Sequence, residues 1–141
     1  MTLLVTGCAS APSQEMSDAR QALQAAVAVG AEALVTPDVE RARNFLSSAE
    51  SALALKQYDR ARNGAVAAKR AALWARRVAV EIRDAQAELR RATAAGVFVP
   101  EAGDALQQAK AAAQAGRATQ ALEHASRASA LAKSAQVKIG G

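Results

Sequence analysis

Cysteine, histidine and aromatic residues are scarce in this sequence, and each scarcity excludes a class of chemistry. A single Cys cannot close a disulfide framework or build a cysteine zinc site, and a single His cannot furnish a multi-histidine metal centre. The aromatics are four, Phe45, Tyr58, Trp74 and Phe98, and they are not interleaved with the charges as a base-stacking surface would require. After residue 10 no stretch approaches the roughly 20 apolar residues of a membrane span. No phosphate-binding Gly loop, metal-ligand spacing or nucleophile motif appears, so neither an enzyme nor a cofactor is expected.

What is abundant is alanine, 40 of 141 residues. Leu, Val, Ile, Met, Phe and Trp together number 30, so a core can form only if Ala supplies much of its packing surface. That favours closely spaced helices and starves sheets. The expected fold class is all-α.

The N-terminus carries the most specific signal. Leu3, Leu4, Val5, Thr6 and Gly7 lead into Cys8, with Ala9 and Ser10 after it. An aliphatic residue, two small residues and Cys at the end of an apolar run resemble the bacterial lipobox. That resemblance implies diacylglycerol attached through a thioether to the Cys8 sulfur, cleavage after Gly7, and acylation of the new amino terminus. Each buried methylene of such an anchor contributes about 0.8 kcal/mol of membrane affinity. Residues 1–7 are then the truncated remnant of a lipoprotein signal, and residues 8–13 a linker. Ala9 and Ser10, with no Asp after the Cys, resemble an outer-membrane sorting signal facing the periplasm.

An internal duplication organises the rest. Residues 18–30 and 84–96 coincide at Asp18/Asp84, Ala19/Ala85, Leu23/Leu89, Ala26/Ala92, Ala28/Ala94 and Gly30/Gly96, an offset of 66. From residue 42 the offset is 60, aligning Leu46 with Leu106, Ala49 with Ala109, Ala52 with Ala112, Ala61 with Ala121 and Ala65 with Ala125. A loop six residues shorter in the second copy is the expected source of the change. Two tandem helix-loop-helix-turn-helix units, about 18–75 and 84–135, are expected within one elongated helical domain spanning 14–138.

Punctuation places the elements. A first helix from Gln14 to Val29 ends at Gly30, which tolerates the left-handed conformation. Thr36-Pro37-Asp38 supplies an N-cap, a proline for the first turn and an acid facing the helix dipole. Val39, Ala42, Leu46, Ala49 and Leu53 keep helical spacing to about Leu55. The chain turns at Lys56-Gln57-Tyr58, and Gly116-Arg117-Ala118 holds the matching place. From Tyr58 to Ala95 only Gly64 weakens the helix, so a long central helix shared by both units is expected. The Asp-Ala-Arg opening, Pro-Asp loop and Tyr-Asp-Arg-Ala turn resemble an uncharacterised Ala-rich bacterial envelope lipoprotein family, some of whose members carry an OmpA-like domain.

Net charge is +5, and residues 58–95 hold 9 basic and 4 acidic groups. Tyr58, Ala61, Ala65, Ala68, Ala72, Ala75, Ala79, Ile82 and Leu89 form a seam at three- and four-residue spacing. Beside it Arg62, Lys69, Arg76, Arg83 and Arg90 recur every seven residues as one row. Two roles are open for this row. Its stems can snorkel over the seam, with the heads meeting acids on adjacent helices such as Glu40 or Glu50. Alternatively it faces outward and binds an anionic envelope polymer or an acidic partner helix.

His124 reads as a solvated helix residue, Asp84 and Glu88 as part of a surface ion-pair network with Arg83, Arg90 and Arg91, and Trp74 as a cation-π partner of Arg70 or Arg77 or a core anchor, ahead of a ligand platform. The composite expectation is a lipid-anchored periplasmic scaffold of the bacterial envelope, tethered by Cys8 and engaging another envelope protein or polymer. The alternatives are a soluble basic helical module binding an acidic protein or nucleic acid, and self-assembly through Ala-rich faces.

Overall fold

The computed structural model describes residues 10–140, and within them every regular element is a helix. Six are present: α1 (Ser13–Ala28), α2 (Ala31–Leu34), α3 (Thr36–Ala54), α4 (Tyr58–Ala94), α5 (Pro100–Gln114) and α6 (Ala118–Ile139). The all-α bundle therefore stands as expected. Cys8 and the lipobox residues before it lie outside the described residues.

The long helix is the axis of the molecule. α4 has 37 residues and is on the order of 55 Å long. Its first half packs against α1 and α3, its second half against α6 and α5, and α2 touches it near the middle. The seam on α4 is buried from Ala61 to Ile82 and continues through Ala85 and Ala92, with Tyr58 and Leu89 half-buried at its ends.

Alanine supplies 24 of the 31 buried apolar residues, so the helices approach without large side chains between them. The helices come close at Gly64, where an added Cβ would stand 3.0 Å from the Ala49 Cβ and 3.4 Å from the Phe45 carbonyl oxygen. Sequence reading assigned Gly64 only a helix-propensity cost; packing of α3 onto α4 is what requires it. The larger core side chains, Val35, Val39, Val78, Ile82 and Leu106, gather where α2, α3, α4 and α5 meet.

Two sequence expectations are corrected by the structure. Thr36 is not an N-cap: Val35 holds that place, and the Thr36 hydroxyl donates to the Glu32 carbonyl at 2.8 Å. The Thr instead ties the start of α3 back to the short helix α2, which propensity did not single out in a four-residue stretch. The change of offset is also distributed differently from a single shortened loop. The connection from α1 to α3 spans residues 29–35 and that from α4 to α5 spans 95–99, while α3 is 19 residues long and α5 only 15. Most of the difference is one extra turn of helix, with two residues in the connection.

The turns closing α3–α4 and α5–α6 share one backbone. Lys56 and Gly116, 60 residues apart, have φ of 58° and 71°. Gln57 N–H donates to the Ala52 carbonyl and Arg117 N–H to the Ala112 carbonyl, both at 2.9 Å. Lys56 therefore carries a left-handed penalty that its counterpart Gly116 avoids.

Two stability outcomes follow, each read by chemical denaturation. Gly64→Ala should lose about 1 kcal/mol despite its better helix propensity, because Ala49 and the α3 backbone have no room for the methyl. Lys56→Gly should gain about 0.5 kcal/mol and Gly116→Ala lose about 1 kcal/mol, opposite signs at matched positions.

Candidate functional site

The basic row is built by the seven-residue repeat on α4, which keeps its members on one side of a nearly straight helix. At its N-terminal end the row clasps α1, which runs alongside in the same direction. Arg62 Nε donates to Glu15 Oε1 at 3.0 Å, Arg62 Nη1 to Asp59 Oδ1 at 3.1 Å, and Arg62 Nη2 to the Ser10 carbonyl at 3.1 Å. Lys69 Nζ donates to Asp18 Oδ2 at 2.8 Å, and Arg83 Nη1 to the Val29 carbonyl at 3.1 Å. Arg90 Nε reaches only the Gln86 carbonyl of its own helix, at 3.4 Å, and Arg76 is exposed with no acidic partner among the described residues.

The acids expected to meet the row, Glu40 and Glu50, do not. Glu50 instead pairs with Arg20 at 2.9 Å, bridging α3 to α1, and Glu40 has no ion pair among the described residues. The partners come from α1 because that helix, not α3, lies beside the row. Glu15 is held below the usual carboxylate range by a backbone hydrogen bond and then by Arg62, and Asp18 by the Lys69 ammonium and the Gln14 amide. Glu88 pairs with Arg91 at 2.6 Å. Arg77 lies 5.5 Å from the Trp74 ring centroid, so the cation-π partner is Arg77 and not Arg70. His124 is half-buried on α6, and among the described residues no cluster of three His, Cys, Asp or Glu is placed to hold a metal ion.

Sequence reasoning missed a second constellation, which only the packing assembles. A cleft of about 500 Å³ opens between α3, α4 and the α5–α6 turn. Asp38, Arg41 and Phe45 come from α3, Arg70, Ala71 and Trp74 from α4, and Arg117, Ala118, Thr119 and Gln120 from the start of α6. The turn sits directly over the start of α3: a Cβ on Gly116 would lie 3.6 Å from the Pro37 Cβ and 3.8 Å from Arg41 Nη2.

Asp38 is the one fully buried residue lining this cleft, 2% exposed. Its Oδ1 accepts from Arg41 Nη1 at 2.9 Å, whereas its Oδ2, closed off from solvent, has no hydrogen-bond partner among the described residues. Burial pushes its carboxyl above the usual range, and the Arg41 guanidinium offsets part of that rise. Around it stand Phe45 and Trp74, each more than a third exposed. Arg70 and Arg117 have no acidic partner among the described residues. Sequence reading placed Asp38 at the helix dipole and Arg70 beside Trp74, but nothing local shows that residues 38, 70 and 117 share one space.

No helix among the described residues is long and apolar enough to cross a membrane. The chain matches no family model, no curated protein and no solved structure.

The carboxylates titrate with opposite consequences. Glu15 and Asp18, with lowered folded-state values, stabilise the protein above the ordinary carboxylate range, and that contribution is lost as pH falls through those lowered values. Asp38, with a raised value, favours the fold while protonated, and that contribution is lost as pH rises through its folded-state value. Asp38→Asn should therefore gain stability relative to the parent chain as pH rises from about 4 to about 7. Urea unfolding at the two pH values measures this difference; a constant offset would refute it.

Proposed function

We infer that this chain is a lipid-anchored scaffold or interaction protein of the bacterial envelope, held on the periplasmic face of the outer membrane through Cys8. The observation that carries the reading is the placement of the sequence's single Cys at the end of an apolar run, directly after Thr6 and Gly7. The body behind it suits a spatial role rather than a chemical one. Two tandem helical units, matched in the backbone of their turns, share α4 and give a continuous strut on the order of 55 Å long.

The tether would enter this strut at a defined place. Ser10, two residues after Cys8, has its carbonyl bound by Arg62 in the first turns of α4. A chain anchored at Cys8 would thus hold the α3–α4 turn end of the bundle nearest the bilayer and direct the end of α4 away from it. The clasp of Arg62 and Lys69 on Glu15 and Asp18 supports this geometry by fixing α1 along α4. Arg76, Arg83 and Arg90 are the exposed stretch of the row, available to an acidic envelope partner.

Expression in a bacterial host supplied with labelled palmitate tests the anchor. Label should co-migrate with the parent protein and disappear in Cys8→Ala, with the helical circular dichroism unchanged. An unmodified thiol on the intact parent chain would overturn the assignment.

A further inference from the structure

The two helical units meet through a contact whose matching halves stand open at the two ends of the molecule. Inside the bundle, the α5–α6 turn of the second unit covers the entry to α3 of the first. Gly116 faces Pro37, Gln114 Nε2 donates to the Ala33 carbonyl at 2.7 Å, and Val35 in that entry is fully buried in one cluster with Ala112 and Ala113. The matching turn is α3–α4, and the matching entry is that of α5. Among the described residues no further unit covers either. Leu55 is 70% exposed at the turn, and Phe98 is 86% exposed in the connection before α5. These two places lie at opposite ends of α4, which begins at Tyr58 and finishes at Ala94.

The register of the repeat shows what shape would cover them. The 60-residue offset carries α6, Ala118–Ile139, onto residues 58–79 of α4, and the 66-residue offset carries α1, Ser13–Ala28, onto residues 79–94. End to end, α6 and α1 therefore reproduce the whole of α4. A second copy that sets the start of its α1 on the end of the first copy's α6 rebuilds the shared helix across the junction. The same placement lays its α3–α4 turn on the entry to α5, just as the α5–α6 turn lies on the entry to α3.

Charge and exposure agree with this placement. Lys56 and Arg60 are exposed at the α3–α4 turn, Glu101 and Asp104 are exposed in the first turns of α5, and none of the four is in an ion pair among the described residues. Val137 and Ile139, 75% and 66% exposed, finish α6 at the Phe98 end, where Gln136 Nε2 donates to the Glu88 carbonyl. At the other end the chain turns off the axis of α1: Pro12 has φ −79° and ψ 57°, and Arg62 holds the Ser10 carbonyl beside α4.

We propose that these ends are a self-association surface, on which a second copy of the chain docks its α1 and α3–α4 turn against the Phe98 end of the first. Repeat proteins stay soluble by carrying polar outer faces on their terminal units. Here the four most exposed large apolar side chains among the described residues, Leu55, Phe98, Val137 and Ile139, all sit at the ends. The two surfaces differ, so the contact is heterologous, and elongated copies stacked end on end form an open series.

The junction requires no lipid at Cys8, so the full chain produced without lipidation tests it by analytical ultracentrifugation, and its failure would leave the anchor untouched. The weight-average mass should climb past that of a dimer between about 10 µM and about 1 mM. Phe98→Glu closes one end, and the double variant Leu55→Glu/Lys56→Glu closes the other. Each should remain monomeric with unchanged circular dichroism, since all three side chains face solvent. An equimolar mixture of the two variants should associate but stop at a dimer, because each supplies the end that the other lacks. A parent chain still monomeric at about 1 mM, a parent that stops at a dimer, or either variant associating by itself like the parent overturns the proposal.

Discussion

Close contact between α4 and its neighbours through alanine is the constraint on which the rest of this structure depends. Each methyl contributes little burial by itself, so the core is effective only because the helices lie near enough for their backbones and Cβ atoms to touch along most of α4. The Gly64–Ala49 approach shows how little slack remains. An Ala seam has no large side chains to lock one helix's rotation against another, and polar clasps at the edges take that part.

That division of labour explains where the charges sit. Arg62 and Lys69 bridge from α4 to α1, Arg20 bridges α1 to α3, and Arg43 ties α3 back to Glu32 of α2 at 2.6 Å. These pairs are half-exposed and screened by water, so they set register more than stability. The heptad row and the Ala seam are two faces of one device, the seam bringing α1 close and the row choosing its position.

The cleft is the place where this packing does not close. At the centre of the bundle the α5–α6 turn rests on the start of α3 and covers Asp38 without supplying a donor to its second oxygen. Arg41 satisfies one oxygen only, and the aromatics there face water as well as protein. The cleft lies where α3, α4 and the start of α6 meet, about 18 Å along α4 from Arg62, twelve residues of helical rise.

Residue order alone determined the five longer helices but not α2, because alanine content, the Pro37 and Gly30 stops and the seam on α4 act within a few turns of chain. It also showed the seven-residue row and the matched turns at Lys56 and Gly116, since periodicity is a local property. It did not determine which helix lies beside the row, so Glu40 and Glu50 were the expected partners and Glu15 and Asp18 the actual ones. Nor did it show that Asp38 is buried rather than facing solvent at a helix start, or that Arg117, 79 residues away, shares its cleft. Those facts depend on how helices of similar composition rotate and cross. Alanine faces are too alike for sequence to specify that pairing, and only the summed contacts of the folded chain do so.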